Sequence, residues 1–162
     1  MSKAQMKWIP YIGVLSVVAL DHLTKWAVMR WMEVGESVPL LPGFLSISSV
    51  RNEGAAWGIL PGQRWILLGI AALMLGLLVQ QRRELFGKGW LGKTAFSLLV
   101  GGIAGNVIDR VAWGHVVDFI HWHGWFDFPV FNIADSAICI GAACYLLVSL
   151  RLQRHKKEEC SM

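Results

Sequence analysis

The chain has 162 residues, a length that suits one domain. Hydrophobic residues make up 55% and charged residues 16%, which is too apolar for an ordinary soluble domain and points to the bilayer. The net charge of +4 does not argue for nucleic acid, because the basic residues collect where membrane topology wants them rather than along one face.

In chain order, a short basic tail leads into a first span over about 8–31, with Pro10 near its first turn and Trp8, Trp26 and Trp31 suited to the interfaces. It is too long for a signal-peptide core and has no clear cleavage site, so it reads as a retained span. Residues 32–62 form an irregular segment broken by Pro39, Pro42 and Gly43. Within it, Phe44 to Val50 partly alternates and predicts a short strand or two, while Arg51 to Gly58 is too rich in small residues for a regular strand. A second span covers about 64–81, a basic turn runs from Arg82 to Lys93, and a third span covers about 94–111. Gly101 and Gly105 give that third span a face that a neighbouring helix can approach closely. A second irregular segment, 112–129, is heavy in Trp, His and Phe and reads as an outer loop or short helix. The fourth span covers about 130–150, before a basic tail. The expected architecture is therefore an all-α membrane protein: four transmembrane helices, a small extracytoplasmic β-like segment and a second outer loop or short helix, all in one domain, 1–162.

Four spans put both termini on one side. Lys3, Lys7, Arg82, Arg83, Lys88, Lys93, Arg151, Arg154, Lys156 and Lys157 share that side, so the positive-inside bias makes it cytoplasmic. The two irregular segments then lie outside. Helix rise places Asp21 roughly 20 Å, Asn106 roughly 18 Å and Asp135 about 22 Å above the inner face. Three helices of independent sequence thus bring polar residues to one level, in the outer half of the membrane, and Asp118 can dip to that level from the segment between two of them.

Asp135 is the single charge in Val130 to Leu150, and a carboxylate in a membrane helix is costly and marks a site by default. Asn132, Asp135, Ser136 and Cys139 share one helical face, as do Gly102, Asn106, Asp109 and Arg110. Asp21–Lys25 is an i,i+4 pair with the acid first, and with Asp109–Arg110 it reads as an ion pair or helix-end contact that holds the bundle. Asp118 and Asp135 have no basic neighbour within four residues and are the candidates for chemistry. His121-Trp122-His123 has a spacing that suits two metal ligands only on a strand, and an interfacial aromatic belt is the commoner reason for such residues, so no metal or cofactor is expected. Ser136 reads as a packing hydroxyl. The three cysteines form no disulfide framework, since Cys139 and Cys144 lie on one helix and Cys160 in a charged tail.

Five stretches, in register from the first span to the last, carry a family resemblance. They are Asp21-His22-Leu23-Thr24-Lys25, Arg51 to Trp57, Gly101 to Arg110, Val116-Val117-Asp118-Phe119 and Phe131-Asn132-Ile133-Ala134-Asp135-Ser136. Together they resemble the bacterial lipoprotein signal peptidases, signal peptidase II. His22 departs from the family pattern, which has Gln there. The resemblance implies an intramembrane aspartic endopeptidase of the bacterial cell membrane. Such an enzyme removes the signal peptide of diacylglyceryl-modified prolipoproteins, cutting before the lipidated cysteine. It implies Asp118 and Asp135 as the catalytic pair, and Asn52, Gly54, Gly102, Asn106, Asp109, Arg110, Asn132 and Ala134 as residues lining or supporting the site. It also implies membrane lipid as surroundings and cyclic peptides such as globomycin as ligands.

From the residues alone, a small proton-coupled transporter and a non-catalytic membrane scaffold are the rivals. Intramembrane carboxylates also serve proton relays. A transporter built on repeats should show similarity between its halves, and none is visible.

Overall fold

A computed structural model of the chain describes residues 5–160 apart from 88, 125 and 127, and does not describe the side chains of 5–7, 86, 87, 152 and 154–160. Expectations that touch Lys3, Lys7, Lys88, Arg154, Lys156, Lys157 and Cys160 therefore lie outside the described residues.

The elements in order are α1 (Gln5–Trp31), β1 (Ser37–Leu41), β2 (Leu45–Asn52), a 3-10 turn (Ala56–Gly58), α2 (Arg64–Gly87), α3 (Gly89–Trp113), β3 (Val116–Trp122) and α4 (Ile133–Cys160). The segments Trp8–Trp31, Arg64–Leu85, Gly89–Trp113 and Ile133–Arg151 are each long and apolar enough to cross a bilayer. The four-span architecture holds, and this is a multi-pass membrane protein.

α3 is the central helix, and its glycines explain why. A Cβ on Gly101 would sit 2.7 Å from Val17 Cβ of α1, and one on Gly102 would sit 2.5 Å from the Ala134 carbonyl oxygen of α4. Only the absence of side chains lets both neighbours approach that closely. The stretch of α3 that spans is 56% buried, against 6% for that of α2, most of whose large apolar side chains are exposed. Ser97 of α3 adds a polar tie by donating to the Pro10 carbonyl oxygen of α1 at 2.9 Å.

The helix ends differ from expectation in two places. The basic stretch Arg82–Lys93 is no open turn, since α2 runs on to Gly87 and α3 begins at Gly89, which has φ +73°. Glycine takes that left-handed conformation without steric cost, so the reversal is tight. α4 begins at Ile133 rather than Val130, because Phe131 is extended and bridges to Ile120.

The outer segments form one antiparallel sheet in the order β1-β2-β3. β2 extends through Arg51 and Asn52, beyond the alternating stretch. The second outer segment is neither loop nor short helix: it contains β3, which pairs with β2 and sets Asp118 opposite Val50 and Val116 opposite Asn52. β3 shows no clean alternation because residues 116–119 are buried on both sides. Val117 and Phe119 pack with Val28 of α1, while Asp118 faces the polar centre.

Candidate active site

The first turn of α4 builds half the site. Asn132 is its N-cap: the side-chain Oδ1 accepts from Asp135 N–H at 2.9 Å, and Asp135 Oδ2 accepts from Asn132 N–H at 3.2 Å. This reciprocal arrangement is a capping box, and it fixes the Asp135 carboxylate at the head of the helix. The next orphan donor of that turn, Ala134 N–H, reaches Asp21 Oδ1 of α1 at 2.9 Å. A carboxylate there also suits the positive end of the helix dipole.

β3 builds the other half. Asp118 is 2% exposed, and each of its oxygens accepts from an amide. Asn52 Nδ2 donates to Oδ2 at 2.8 Å and Asn132 Nδ2 donates to Oδ1 at 2.6 Å. Asn132 therefore touches both carboxylates, one through its backbone and one through its side chain. Burial, and next the neighbouring Asp135 carboxylate, push Asp118 up to about 7, against the opposing pull of the two amide donors.

Behind this pair lies a polar spine. Asn106 Nδ2 donates to Asp135 Oδ1 at 2.7 Å, while Asn106 Oδ1 accepts from Asn132 Nδ2 at 3.2 Å and from Lys25 Nζ at 3.1 Å. Lys25, 1% exposed, also pairs with Asp21 at 2.8 Å and with Asp109 at 2.9 Å. The expected Asp109–Arg110 pairing is thus replaced. Asp109 turns to Lys25 and to the Val117 N–H at 3.2 Å, anchoring β3 on α3. Arg110 turns the other way, donating to the Gly54 carbonyl oxygen at 2.7 Å and the Asn106 carbonyl oxygen at 3.4 Å. The face shared by Gly102, Asn106, Asp109 and Arg110 on paper is split by packing: Gly102 meets α4, Asp109 meets α1, and Asn106 and Arg110 line the cavity.

Both carboxylates open on a cavity of about 1120 Å³, together with Asn52, Gly54, Asn106 and Arg110. Its far wall is apolar, made by Leu67, Ile70 and Met74 of α2, with Ile103 and Val107 of α3 and Ile138 of α4. The sequence reading missed this wall, since the stretch of α2 from Leu67 to Met74 carries no polar residue to mark it. The end of β2 and the loop after it, expected from the sequence to contribute Asn52 and Gly54, also line the cavity. Asn52 Oδ1 accepts from Gly54 N–H at 2.9 Å, and Ala55 N–H closes the loop on the Ile59 carbonyl oxygen at 2.7 Å. A Cβ on Gly54 would meet that same oxygen at 2.7 Å. The loop carries Trp57 at φ 63°, a strained value for a bulky residue, and its ring meets Phe128 edge-on at 5.4 Å. Trp57 after β2 and Phe128 after β3 thus meet at the cavity, which both of them line. Among the described residues no group of three or more His, Cys, Asp or Glu side chains gathers as a metal cage.

The profile of the family described as "Signal peptidase (SPase) II" matches residues 13–151. A lipoprotein signal peptidase of Halalkalibacterium halodurans is 42% identical over 152 residues, covering 93% of this chain and 97% of its own. Another, of Shouchella clausii, is 44% identical over 147 residues, covering 91% of this chain and 96% of its own. A solved bacterial membrane enzyme, determined in meso at 2.3 Å resolution, superposes with a TM-score of 0.82 at 40% identity, covering 92% of each chain. On the profile match, the shared sequence and the shared fold together, this chain belongs to the signal peptidase II family and is a peptidase of the membrane.

Proposed function

We propose that the chain is an intramembrane aspartic endopeptidase that removes the signal peptide from diacylglyceryl-modified prolipoproteins, cutting immediately before the lipidated cysteine. The observation that carries this reading is that Asn132 ties Asp118 and Asp135, from separate elements, to one wall of a large apolar cavity. Residues 1–162 act as one domain, since all four helices and the sheet contribute to that cavity or its support.

Two neighbouring carboxylates in a low-dielectric site share one proton. We assign it to Asp118, because Asp135 heads α4, where the helix dipole favours an ionised carboxylate. Asp135, steadied by Asn106 and the Asn132 N–H, takes a proton from the attacking water. The water oxygen bonds to the scissile carbonyl carbon as Asp118 protonates the carbonyl oxygen. Collapse of the resulting diol breaks the C–N bond: the proton held by Asp135 passes to the leaving amine, one diol hydroxyl returns its proton to Asp118, and a carboxylic acid is released. The Arg110 guanidinium and the Asn52 amide lie on the same cavity wall and can hold the peptide backbone there. The apolar wall of α2 suits acyl chains, which are held by area burial.

The bias of Lys and Arg supports a cytoplasmic location for both termini and a site facing the outer leaflet of the bacterial cell membrane. The signal peptide would then enter from the cytoplasmic side while its lipid tails remain in the outer leaflet. The same reading expects cyclic peptides such as globomycin to occupy this cavity as inhibitors and expects no nucleic-acid partner. The test is cleavage of a lipidated prolipoprotein by purified protein. Asp118→Asn and Asp135→Asn should each abolish cleavage while the protein still inserts and folds, and full activity in either variant overturns the pairing.

A further inference from the structure

We propose that a cleft between the lower ends of α2 and α4 is a second substrate subsite, which takes a Lys or Arg side chain from the basic start of the signal peptide. These are the ends that carry Arg82, Arg83 and Arg151, which the bias of Lys and Arg makes cytoplasmic. The proposal rests on the peptidase reading above and extends it from the cut to the far end of the segment removed.

α2 and α4 both pack on α3 and hardly touch each other, so α3 is the floor of a groove between them. One stripe on each helix follows this groove. On α2 it runs Leu67, Ile70, Met74, Leu77, Gln81 and Glu84. On α4 it runs Asp135, Ile138, Ala142, Tyr145 and Ser149. Alternating steps of three and four residues keep each set on one helical face. The upper members, down to Met74 and Ile138, line the cavity of the two carboxylates. Leu77 and Ala142 continue the stripes and are exposed. The lower members, Gln81, Glu84, Tyr145 and Ser149, line a separate cleft of about 190 Å³. Two apolar faces over a shared floor suit an apolar helix laid in the groove.

Length and charge name the occupant. From Asp135 to Ser149, α4 rises roughly 21 Å. The apolar core of a signal peptide, about 7–15 residues, is roughly 10–22 Å long as a helix. A peptide cut at the carboxylates therefore brings the basic residues that precede this core to the lower cleft. There the lining turns polar. Tyr145 Oη donates to Gln81 Oε1 at 2.8 Å and joins the two helices. Glu84 brings a carboxylate, and among the described residues no Lys or Arg lines the cleft. Arg82 turns back on its own helix, donating to the Val79 carbonyl oxygen at 2.7 Å. The carboxylate, amide and hydroxyl oxygens are acceptors that an ammonium or guanidinium can use. The cleft has room for one such side chain, not for another helix. None of these residues takes part in the cleavage chemistry.

The test compares two lipidated prolipoproteins that differ only in the basic residues of the signal peptide, kept in one and replaced by Gln in the other. Cleavage is followed in phosphatidylcholine nanodiscs at low salt, because anionic lipid attracts the same charges. With the unaltered enzyme, loss of the basic residues should raise KM about three- to fivefold, the upper range for a partly exposed ion pair. kcat should stay unchanged, as for binding felt equally by substrate and transition state. Glu84→Gln should raise KM for the basic substrate to the same level and no longer distinguish the two. Glu84→Lys should prefer a third substrate with Glu at those positions. Thermal melts check that the variants fold. Equal KM for the two substrates, or a preference that survives Glu84→Gln, overturns the subsite and leaves the peptidase standing. No cleavage of any substrate by the unaltered enzyme overturns both.

Discussion

Asn132 Nδ2 donates to Asp118 Oδ1 at 2.6 Å, the shortest of the side-chain contacts at the carboxylate pair. The same residue caps α4 and receives Asp135 in return, so one amide side chain sets the distance between a strand and a helix. Its complete burial means that no water can replace it without rearrangement. Asn132→Ala is expected to lower kcat by about 10²- to 10³-fold, the scale of losing one fixed donor at a reacting centre. It should also cost about 1 kcal/mol of stability as a lost cap. Steady-state kinetics beside a thermal melt separates the two effects. A variant that loses stability but keeps kcat would show that the cap alone matters.

Asp118 makes the pH dependence readable. Its folded value of about 7 lies above the ordinary 3.8. Between those values the native state holds a proton that the unfolded state has released, so stability falls as pH rises through that window. Activity that needs this proton should decline on an alkaline limb near pH 7. Asn52 donates to Asp118 Oδ2 at 2.8 Å and favours the ionised form. Removing it in Asn52→Ala should therefore move the limb to higher pH, besides lowering the rate. A pH profile of kcat/KM checks both, and a limb that moves down would reverse the assigned role of Asn52.

The helices were legible because about 20 apolar residues in a row have few other uses. The common depth of Asp21, Asn106 and Asp135 was legible too, and the structure links these levels directly: Asp21 reaches Ala134 N–H, and Asn106 reaches Asp135. β3 was not legible as a strand. Val116, Val117, Asp118 and Phe119 are all buried, so the period of two that betrays a half-exposed strand is absent. Nor could spacing show that Asp109 abandons adjacent Arg110 for Lys25 of another helix. Neighbours in sequence point in different directions on a helix, and only packing decides which partner each meets. The roof formed by Trp57 and Phe128 depends on two loops meeting, which no local pattern encodes.

Lys25 should act mainly through stability. It lies between Asp21 and Asp109, which are 0% and 2% exposed, and its loss leaves both carboxylates without their cation. Lys25→Ala is expected to cost about 3–5 kcal/mol, the usual result of breaking a buried pair from one side. Thermal unfolding and membrane yield should register this. Adding Asp21→Asn and Asp109→Asn should recover part of the loss by removing the unpaired charges. Cleavage per folded molecule should change far less than in Asp118→Asn. A purely catalytic defect would instead give Lys25 a direct part in holding Asp135 through Asn106.

The glycines of α3 offer a matched pair of substitutions. A Cβ at Gly101 meets Val17 Cβ at 2.7 Å on α1, whereas one at Gly102 meets the Ala134 carbonyl oxygen at 2.5 Å and Ile138 Cγ1 at 2.8 Å on α4. Both overpack a close helix contact, and each should cost about 1–3 kcal/mol. Their effects on turnover should diverge. Ala134 immediately precedes Asp135, so Gly102→Ala pushes directly on the turn that carries a carboxylate. Gly101→Ala pushes on Val17 of α1, one turn before Asp21 and on no residue that carries a cavity-lining carboxylate. Displacements of about 1 Å at a reacting group can cost about 100-fold in rate, so Gly102→Ala should lower kcat by that order while Gly101→Ala keeps most of it. Equal losses of kcat at equal losses of stability would mean that the α3–α4 contact positions Asp135 no more tightly than the α3–α1 contact does.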